Sequence, residues 1–467
     1  MGDTHEVQEP LWERTLRRIQ EIWPLSESVV FKNRFSADLP QSDLPRLRKA
    51  INACLEGRGG EVSARSRAAE LGKTYSVLNQ AGRRRFLEVL AAEYDIDNDR
   101  VEEAIKRRRD AETQEEVQQA TIELRNLLEP PRSKLLRQFN ELAEGVKFLV
   151  DLRVELIRWA GENHNLRALD LDVYRLLASW FDVGFLDLQQ ITWKTSAALL
   201  EKLIEYEAVH EIRSWQDLKN RLKDDRLCYA FFHPRMPDEP LIFVEVALVN
   251  GISDNIQEVL DVEAPSCDPT KADTAIFYSI SNCQKGLAGV SFGNFLIKRV
   301  VTDLAAKMPN LKRFCTLSPI PGFVEWLRHQ KETEELQGFD SALLDVILGD
   351  TPDKSILAKV LSGKAVLIDR AENRELKPMV LGLCASYLLK GKRGEQVYDR
   401  VANFHLTNGA RIEQINWAAD LSDKGVAQSL GLMVNYLYDL PDIEKNHELY
   451  RTHGEIAVSS AVKRMVK

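Results

Sequence analysis

The stretch FYSISNCQKGLAGVSFGNFLIKRVV, residues 277–301, passes from an apolar run through a glycine-bearing loop into a helix-like pattern. TAIFYSIS (274–281) has the short, β-branched and aromatic character of a strand, and from about 293 to 307 apolar residues recur at helical spacing. A strand that feeds a helix across a tight loop is the elementary unit of α/β folds, in which ligands bind where strand ends and helix N-termini converge. Gly286, Gly289 and Gly293 let the backbone approach a ligand, and amides at a helix start are donors for a pyrophosphate. The spacing matches neither G-x-x-x-x-G-K-[ST] nor G-x-G-x-x-G, so no Walker-type or Rossmann nucleotide site is expected. A plain turn with close helix packing uses the same glycines.

Downstream the pattern repeats: FCTLS (314–318) reads as a strand, PIPGF (319–323) as a rigid turn and VEWLRHQ (324–330) as the opening of a helix. A helical stretch over 331–362 precedes a strand-like PMVLGLCASYLLK (378–390). Upstream, LCYAFFHP (227–234) and PLIFVEVAL (240–248) are neighbouring strands across the proline-rich MPDEP. From about 10 to 220 the pattern is helical instead, with candidates at 11–23, 43–56, 63–71, 74–93, 98–128, 132–158, 169–182 and 187–205. The fold class expected is an N-terminal all-α helical bundle over residues 1–200, serving as scaffold or oligomerisation surface, plus a C-terminal α/β (α+β) catalytic domain over 201–467.

A chain of 467 residues exceeds what one hydrophobic core usually supports, in agreement with two domains. With 44% apolar and 29% charged residues it is ordinary globular protein, and a net charge of −8 without a basic, aromatic-laced stripe argues against nucleic acid as a partner. Its six cysteines lack any repeated spacing, which points to reduced thiols. The first twenty residues place acids ahead of an amphipathic helix, unlike a secretory or mitochondrial leader, and the last three are no peroxisomal address. No apolar run is long enough to span a bilayer, and a cytoplasmic location without membrane contact is the expectation.

Two side chains stand out for chemistry. Ser318 closes an apolar strand ahead of two prolines that hold the backbone, so its hydroxyl is aimed in one direction, though a turn serine has the same setting. His405, in VANFHLTNGA (401–410), lies in an alternating stretch before the turn signal Asn408-Gly409, and a histidine held at a strand end can supply a proton near neutral pH; a hydrogen-bonded core histidine is the plainer account. Lys298 and Arg299 suit phosphates, or simply a charged helix face. His447 and His453 in NHELYRTHGE fall short of H-E-x-x-H, and no metal site is expected.

The motifs FYSISNCQKGLAGVSFGNFLIKRVV, FCTLSPIPGFVEWL (314–327), VANFHLTNGARIEQINWAADLS (401–422) and GLMVNYLY (431–438), with LLRQFNELAEGVKFLVDLR (135–153) in the helical part, resemble the malonyl-CoA decarboxylase family. The resemblance extends over most of the chain from about residue 60, in the same order. It implies a C-terminal domain similar to the acyl-CoA-handling fold of GCN5-related N-acetyltransferases. It also implies malonyl-CoA contacts through Gly286, Ala288, Gly289, Val290, Ser291, Phe292, Gly293 and Asn294, with Lys298 in reach of phosphate. The family's catalytic serine falls on Ser318, its histidine on His405 and an active-site tyrosine on Tyr438. Two departures are visible. Ser291 stands where some relatives carry an acid, and Cys283, with Gln284 beside it, stands where the acetyltransferase phosphate loop often begins with Gln or Arg.

The implied reaction is decarboxylation of malonyl-CoA to acetyl-CoA and CO2. No cofactor is needed, because the thioester carbonyl is itself the electron sink. Fixed donors at the enolate oxygen and a proton returned to the methylene carbon suffice. The family label suggests His405 as the proton donor and Ser318 as its accepting partner; relayed donation through Ser318 is equally open, and the sequence does not decide between them. A homodimer or homotetramer is implied as well. Two other functions compete: acyl transfer from acyl-CoA to an amine, which the same fold permits, and a non-enzymatic CoA-binding scaffold.

Overall fold

The computed structural model describes residues 35–56, 60–140, 142, 144–181, 183–290, 296–333, 348, 376–394 and 396–466. The helical candidate at 11–23 and nearly all of that at 331–362 lie outside them. Two compact units result: residues 1–181 with 284–290, and residues 182–283 with 291–467. The division therefore falls after Phe181 instead of at 200, and the glycine loop groups with the helices although strand and helix flank it in sequence.

The first unit contains α1 (Leu44–Leu55), α2 (Gly60–Val77), α3 (Gln80–Glu93), α4 (Asn98–Asp110), α5 (Gln114–Leu127), α6 (Pro131–Asn140), α7 (Gly145–Ala160) and α8 (His164–Trp180). Two long helical candidates are each broken in two. The 98–128 stretch stops at Asp110 because Thr113 and Glu116 form a reciprocal capping box that starts a new helix. The 132–158 stretch turns at Glu144, whose φ is +59°, and at Gly145, where a Cβ would lie 1.7 Å from the Phe139 carbonyl oxygen. Leu87, Leu90, Leu135, Leu149, Leu156 and Leu166 are buried throughout. Tyr75 packs edge-on against Phe86 and Phe148 at 5.2 and 5.7 Å. Arg132 is buried between Asp95 and Asp172, so its charge is paired on both sides.

The second unit opens with β1 (Asp187–Ile191), α9 (Ala197–Tyr206), α10 (Trp215–Asn220), β2 (Arg226–His233), β3 (Met236–Val249), α11 (Ile256–Leu260) and β4 (Thr274–Asn282). It continues with α12 (Leu296–Lys307), β5 (Arg313–Thr316), β6 (Ser318–Pro319), α13 (Phe323–Thr333), α14 (Leu376–Lys390), β7 (Lys392–Arg393) and β8 (Gln396–Val397). Last come α15 (Arg400–Thr407), β9 (Arg411–Asn416), α16 (Asp423–Ser429), β10 (Met433–Leu437), α17 (Ile443–His453) and α18 (Ser460–Arg464). Among the described residues one eight-stranded sheet runs β1-β2-β3-β4-β5-β10-β6, with β9 also on β10. Among the described strands only β4 and β5 pair in parallel, as a strand–loop–helix–strand crossover requires. One face of the sheet carries Ala247, Ile276, Tyr278, Cys315, Leu317 and Met433 in a continuous apolar cluster.

MPDEP lies inside β3 instead of forming the turn between the strands, and three other elements differ from expectation. Residues 187–191 form an edge strand on β2 in place of a helix, because pairing along an edge overrides a weak, polar local pattern. PMVLGLCASYLLK is helical, an apolar run too long for an ordinary strand. VANFHLT is helical too, for reasons that matter at the site.

Candidate active site

Strand alternation aims Ser318. Cys315 and Leu317 sit in the apolar cluster on one face, so Thr316 and Ser318 look out from the other. The same alternation on β10, where Val434 pairs Ser318 and Met433 joins the cluster, puts Tyr436 and Tyr438 on the face of Ser318.

His405 arrives there on α15. Asp399 caps the helix, its Oδ1 accepting from the amides of Val401 (2.9 Å) and Ala402 (2.8 Å). Asn408-Gly409 ends it, with Gly409 at φ +80° beside the Ile443 carbonyl, so the dipeptide closes a helix rather than a hairpin. Ala402, His405 and Leu406 are buried at helical spacing, and the imidazole stacks on the Tyr436 ring at 4.4 Å between centroids.

Three sequence-predicted residues meet here. Ser318 Oγ lies 3.0 Å from His405 Nε2, and His405 Nδ1 lies 2.8 Å from Tyr438 Oη. All three side chains are buried. Burial alone pushes the imidazole down to about 3 and the Tyr438 phenol up, so both are neutral at physiological pH. A fourth residue fixes the direction of the network. Ser318 Oγ donates to Thr316 Oγ1 at 2.8 Å, and the Tyr436 amide donates to the same oxygen at 3.1 Å. Ser318 has one proton to give, so the hydrogen in its bond with His405 belongs to Nε2. Nδ1 is then bare and accepts from the Tyr438 hydroxyl. Protons are thus aligned from Tyr438 through His405 to Ser318. Period-two alternation back from Ser318 was the only sign of Thr316 in the sequence.

A ring held neutral makes a testable difference. Its folded pKa lies below the unfolded value of 6.5, so its contribution to stability is complete above pH 6.5 and is lost as pH falls toward 3. Nitrogen-15 spectra of His405 at pH 6 are expected to show a protonated Nε2 and a bare Nδ1, while melting temperature declines below pH 6.5. An imidazolium spectrum at pH 6 would sink the assignment.

The remaining predicted residues are elsewhere. Lys285–Leu287 form a short 3-10 turn in the first unit, and Gly289 sits at φ +79°. Gly286, Ala288, Gly289 and Val290 are described, whereas Ser291, Phe292, Gly293 and Asn294 lie outside the described residues. Lys298, on α12, is ion-paired with Glu444 on α17. His447 bonds the Thr407 carbonyl at 2.6 Å. Among the described residues no group of three His, Cys, Asp or Glu side chains is arranged to hold a metal, and no helix is long and apolar enough to cross a membrane.

The family models for the malonyl-CoA decarboxylase N-terminal and C-terminal domains match residues 94–181 and 184–467. The mitochondrial malonyl-CoA decarboxylase of Anser anser anser is 37% identical over 417 residues, covering 85% of this chain and 83% of the relative. That of Mus musculus is 35% identical over 426 residues, 86% of each chain. Among solved structures, the malonyl-CoA decarboxylase of Rhodopseudomonas palustris is similar with a TM-score of 0.81 at 41% identity, covering 90% of this chain and 99% of that one. The Agrobacterium vitis enzyme gives 0.80 at 41%, with 90% and 100% covered. The vertebrate relatives, that of Rattus norvegicus included, are mitochondrial by name, and the cytoplasmic expectation is overturned. It rested on the charge order of residues 1–20, outside the described residues, and compartment is written in receptor-read segments that the folded units do not encode.

Proposed function

The chain belongs to the malonyl-CoA decarboxylase family, and from that membership we propose that it decarboxylates malonyl-CoA to acetyl-CoA and CO2 through Ser318, His405 and Tyr438. The observation that carries this reading is the buried Tyr438–His405–Ser318 hydrogen-bond chain with a neutral imidazole at its centre. When the bond to the departing carboxylate breaks, its electron pair flows into the thioester carbonyl as an enolate. The carbonyl re-forms as the Ser318 hydroxyl rotates its hydrogen from Thr316 Oγ1 to the methylene carbon, which takes the proton. Ser318 is reprotonated by His405 Nε2–H, and His405 Nδ1 takes the Tyr438 proton, which solvent then replaces. No imidazolium forms; the charge passes instead to the Tyr438 oxygen, where burial disfavours it, so replacement of that proton by solvent has to accompany the transfer.

The CoA portion is assigned to Gly286, Ala288, Gly289, Val290, Ser291, Phe292, Gly293, Asn294 and Lys298. Lys298 must leave Glu444, an exposed pair that is cheap to break, to reach a phosphate. The likeness of residues 201–467 to the GCN5-related N-acetyltransferase fold is supported by the parallel β4/β5 pair flanking the glycine segment. Self-association through the helical unit is supported by Val154, Ile157 and Leu171, apolar side chains exposed on α7 and α8.

The test is a mass-balanced assay of purified protein with malonyl-CoA, with light scattering on the same preparation. Acetyl-CoA and CO2 in equal amounts are expected, from a particle of two or four chains of 53.2 kDa each. Release of CoA that depends on an added amine would favour acyl transfer, and binding without turnover would favour a scaffold. A 53.2 kDa species alone would exclude the oligomer.

A further inference from the structure

We propose that Arg153, on α7 of the helical unit, is a positioning residue that holds the glycine loop in the conformation that binds the CoA phosphates. The inference rests on the assignment of that loop to CoA. Arg153 is buried, and its Nη1 donates to the carbonyls of Gly286 at 2.7 Å and Ala288 at 2.8 Å. Its Nε donates to Asp170 on α8 at 3.0 Å, which orients the fork and offsets its charge. The guanidinium lies 5.1 Å from the Tyr174 ring centroid, and Tyr174 Oη in turn donates to the Gly289 carbonyl at 3.4 Å. Gly286 closes the contact, since a Cβ there would come within 1.8 Å of the Val150 carbonyl oxygen.

The consequence follows from the peptide unit. In a trans peptide the C=O of one residue and the N–H of the next point in opposite directions, and no cis bond is present among the described residues. A carbonyl turned toward an anion repels it, whereas an amide attracts it. Capture of the Ala288 carbonyl by Arg153 therefore turns the Gly289 N–H away from α7. The φ of +79° at Gly289 is the backbone conformation that this turn demands. Arg153 also ends the motif LLRQFNELAEGVKFLVDLR, which no other part of the functional reading uses. The helical unit then contributes to substrate binding as well as to scaffolding.

Two substrates separate this role from general stability: malonyl-CoA, and malonyl-pantetheine, which lacks the nucleotide and its phosphates. The full-length parent is expected to prefer malonyl-CoA. In R153M, of similar reach but without donors, KM for malonyl-CoA should rise roughly tenfold or more with kcat little changed, since two buried charge-assisted bonds are lost. Its kcat/KM for malonyl-pantetheine should stay at the parental level. R153K, with an ammonium but no fork, should fall between the two, and hydrogen exchange should quicken at the amides of residues 285–290. If R153M proves unstable, Y174F, which removes only the bond to Gly289, should show a smaller rise in KM alone. An unchanged KM for malonyl-CoA in a folded variant, or an equal loss with both substrates, overturns the role of Arg153. A parent that handles both substrates equally overturns the assignment of the loop itself, while leaving the Ser318/His405 chemistry standing.

Discussion

Removing the Ser318 hydroxyl with S318A, or replacing the imidazole with H405N, is expected to lower malonyl-CoA turnover roughly 10²-fold or more while acetyl-CoA binding changes little. In the proposed mechanism Ser318 hands over the proton and His405 replaces it, which would place each in the transition state and not in ground-state binding. A hundredfold loss corresponds to about 2.7 kcal/mol of transition-state stabilisation. The double variant should be little worse than either single one, because Ser318 and His405 act as one unit. Y438F interrupts only the last link and should cost less, since His405 Nδ1 retains access to a proton by slower exchange. The measurements are turnover at saturating malonyl-CoA and calorimetric acetyl-CoA binding, on variants whose circular dichroism shows them folded. Near-parental turnover in both folded single variants would remove the pair from the mechanism.

What the sequence revealed and what it hid divide along a physical line. Ser318 was legible both as a residue and in its setting, because a strand that ends in Ser-Pro-Ile-Pro has few conformations open to it. His405 was legible as a residue only. Phe404 and Leu406 on either side of it imitate a strand, but three residues of alternation carry little information. Ala402, His405 and Leu406 fit the helical period equally well. The deciding signals were the ends: Asp399 as a cap and Gly409 as a terminator, both present in the sequence and both short-range. Thr316 and Arg153 were hidden for a different reason. Each acts through a partner distant in sequence, Tyr436 for one and Gly286 and Ala288 for the other, and local pattern holds no record of such pairings. The helical bundle and the α/β character of the C-terminal part were plain from periodicity. The edge strand Asp187–Ile191 was not, because its pairing with β2 and not its own composition makes it a strand.

Asp399 should prove the most consequential residue that touches none of the three side chains proposed to react. Its buried carboxylate caps the helix that carries His405 and accepts from Tyr387 Oη at 3.0 Å. It also takes a hydrogen bond from the Gly322 amide, in the turn that follows Ser318. One side chain therefore ties the Ser318 turn to the start of the His405 helix, and it tolerates burial, which raises its pKa, because these donors hold the charge. D399A deletes the cap and strands the Tyr387 hydroxyl and the backbone amides in the interior. A stability loss of about 3 kcal/mol is expected, from a cap and unpaired buried donors together. Turnover should fall roughly tenfold with KM unchanged, since the 3.0 Å approach of Ser318 Oγ to His405 Nε2 depends on both elements staying in register. D399N separates the two effects. Its amide oxygen can still cap α15, so stability should fall less, by about 1 kcal/mol, but its NH2 opposes the Gly322 amide and should still depress kcat. Denaturant melts beside steady-state kinetics on D399A, D399N and Y387F make the comparison. Parental kcat in folded D399N would reduce Asp399 to a helix cap and leave the alignment of Ser318 and His405 to the sheet alone.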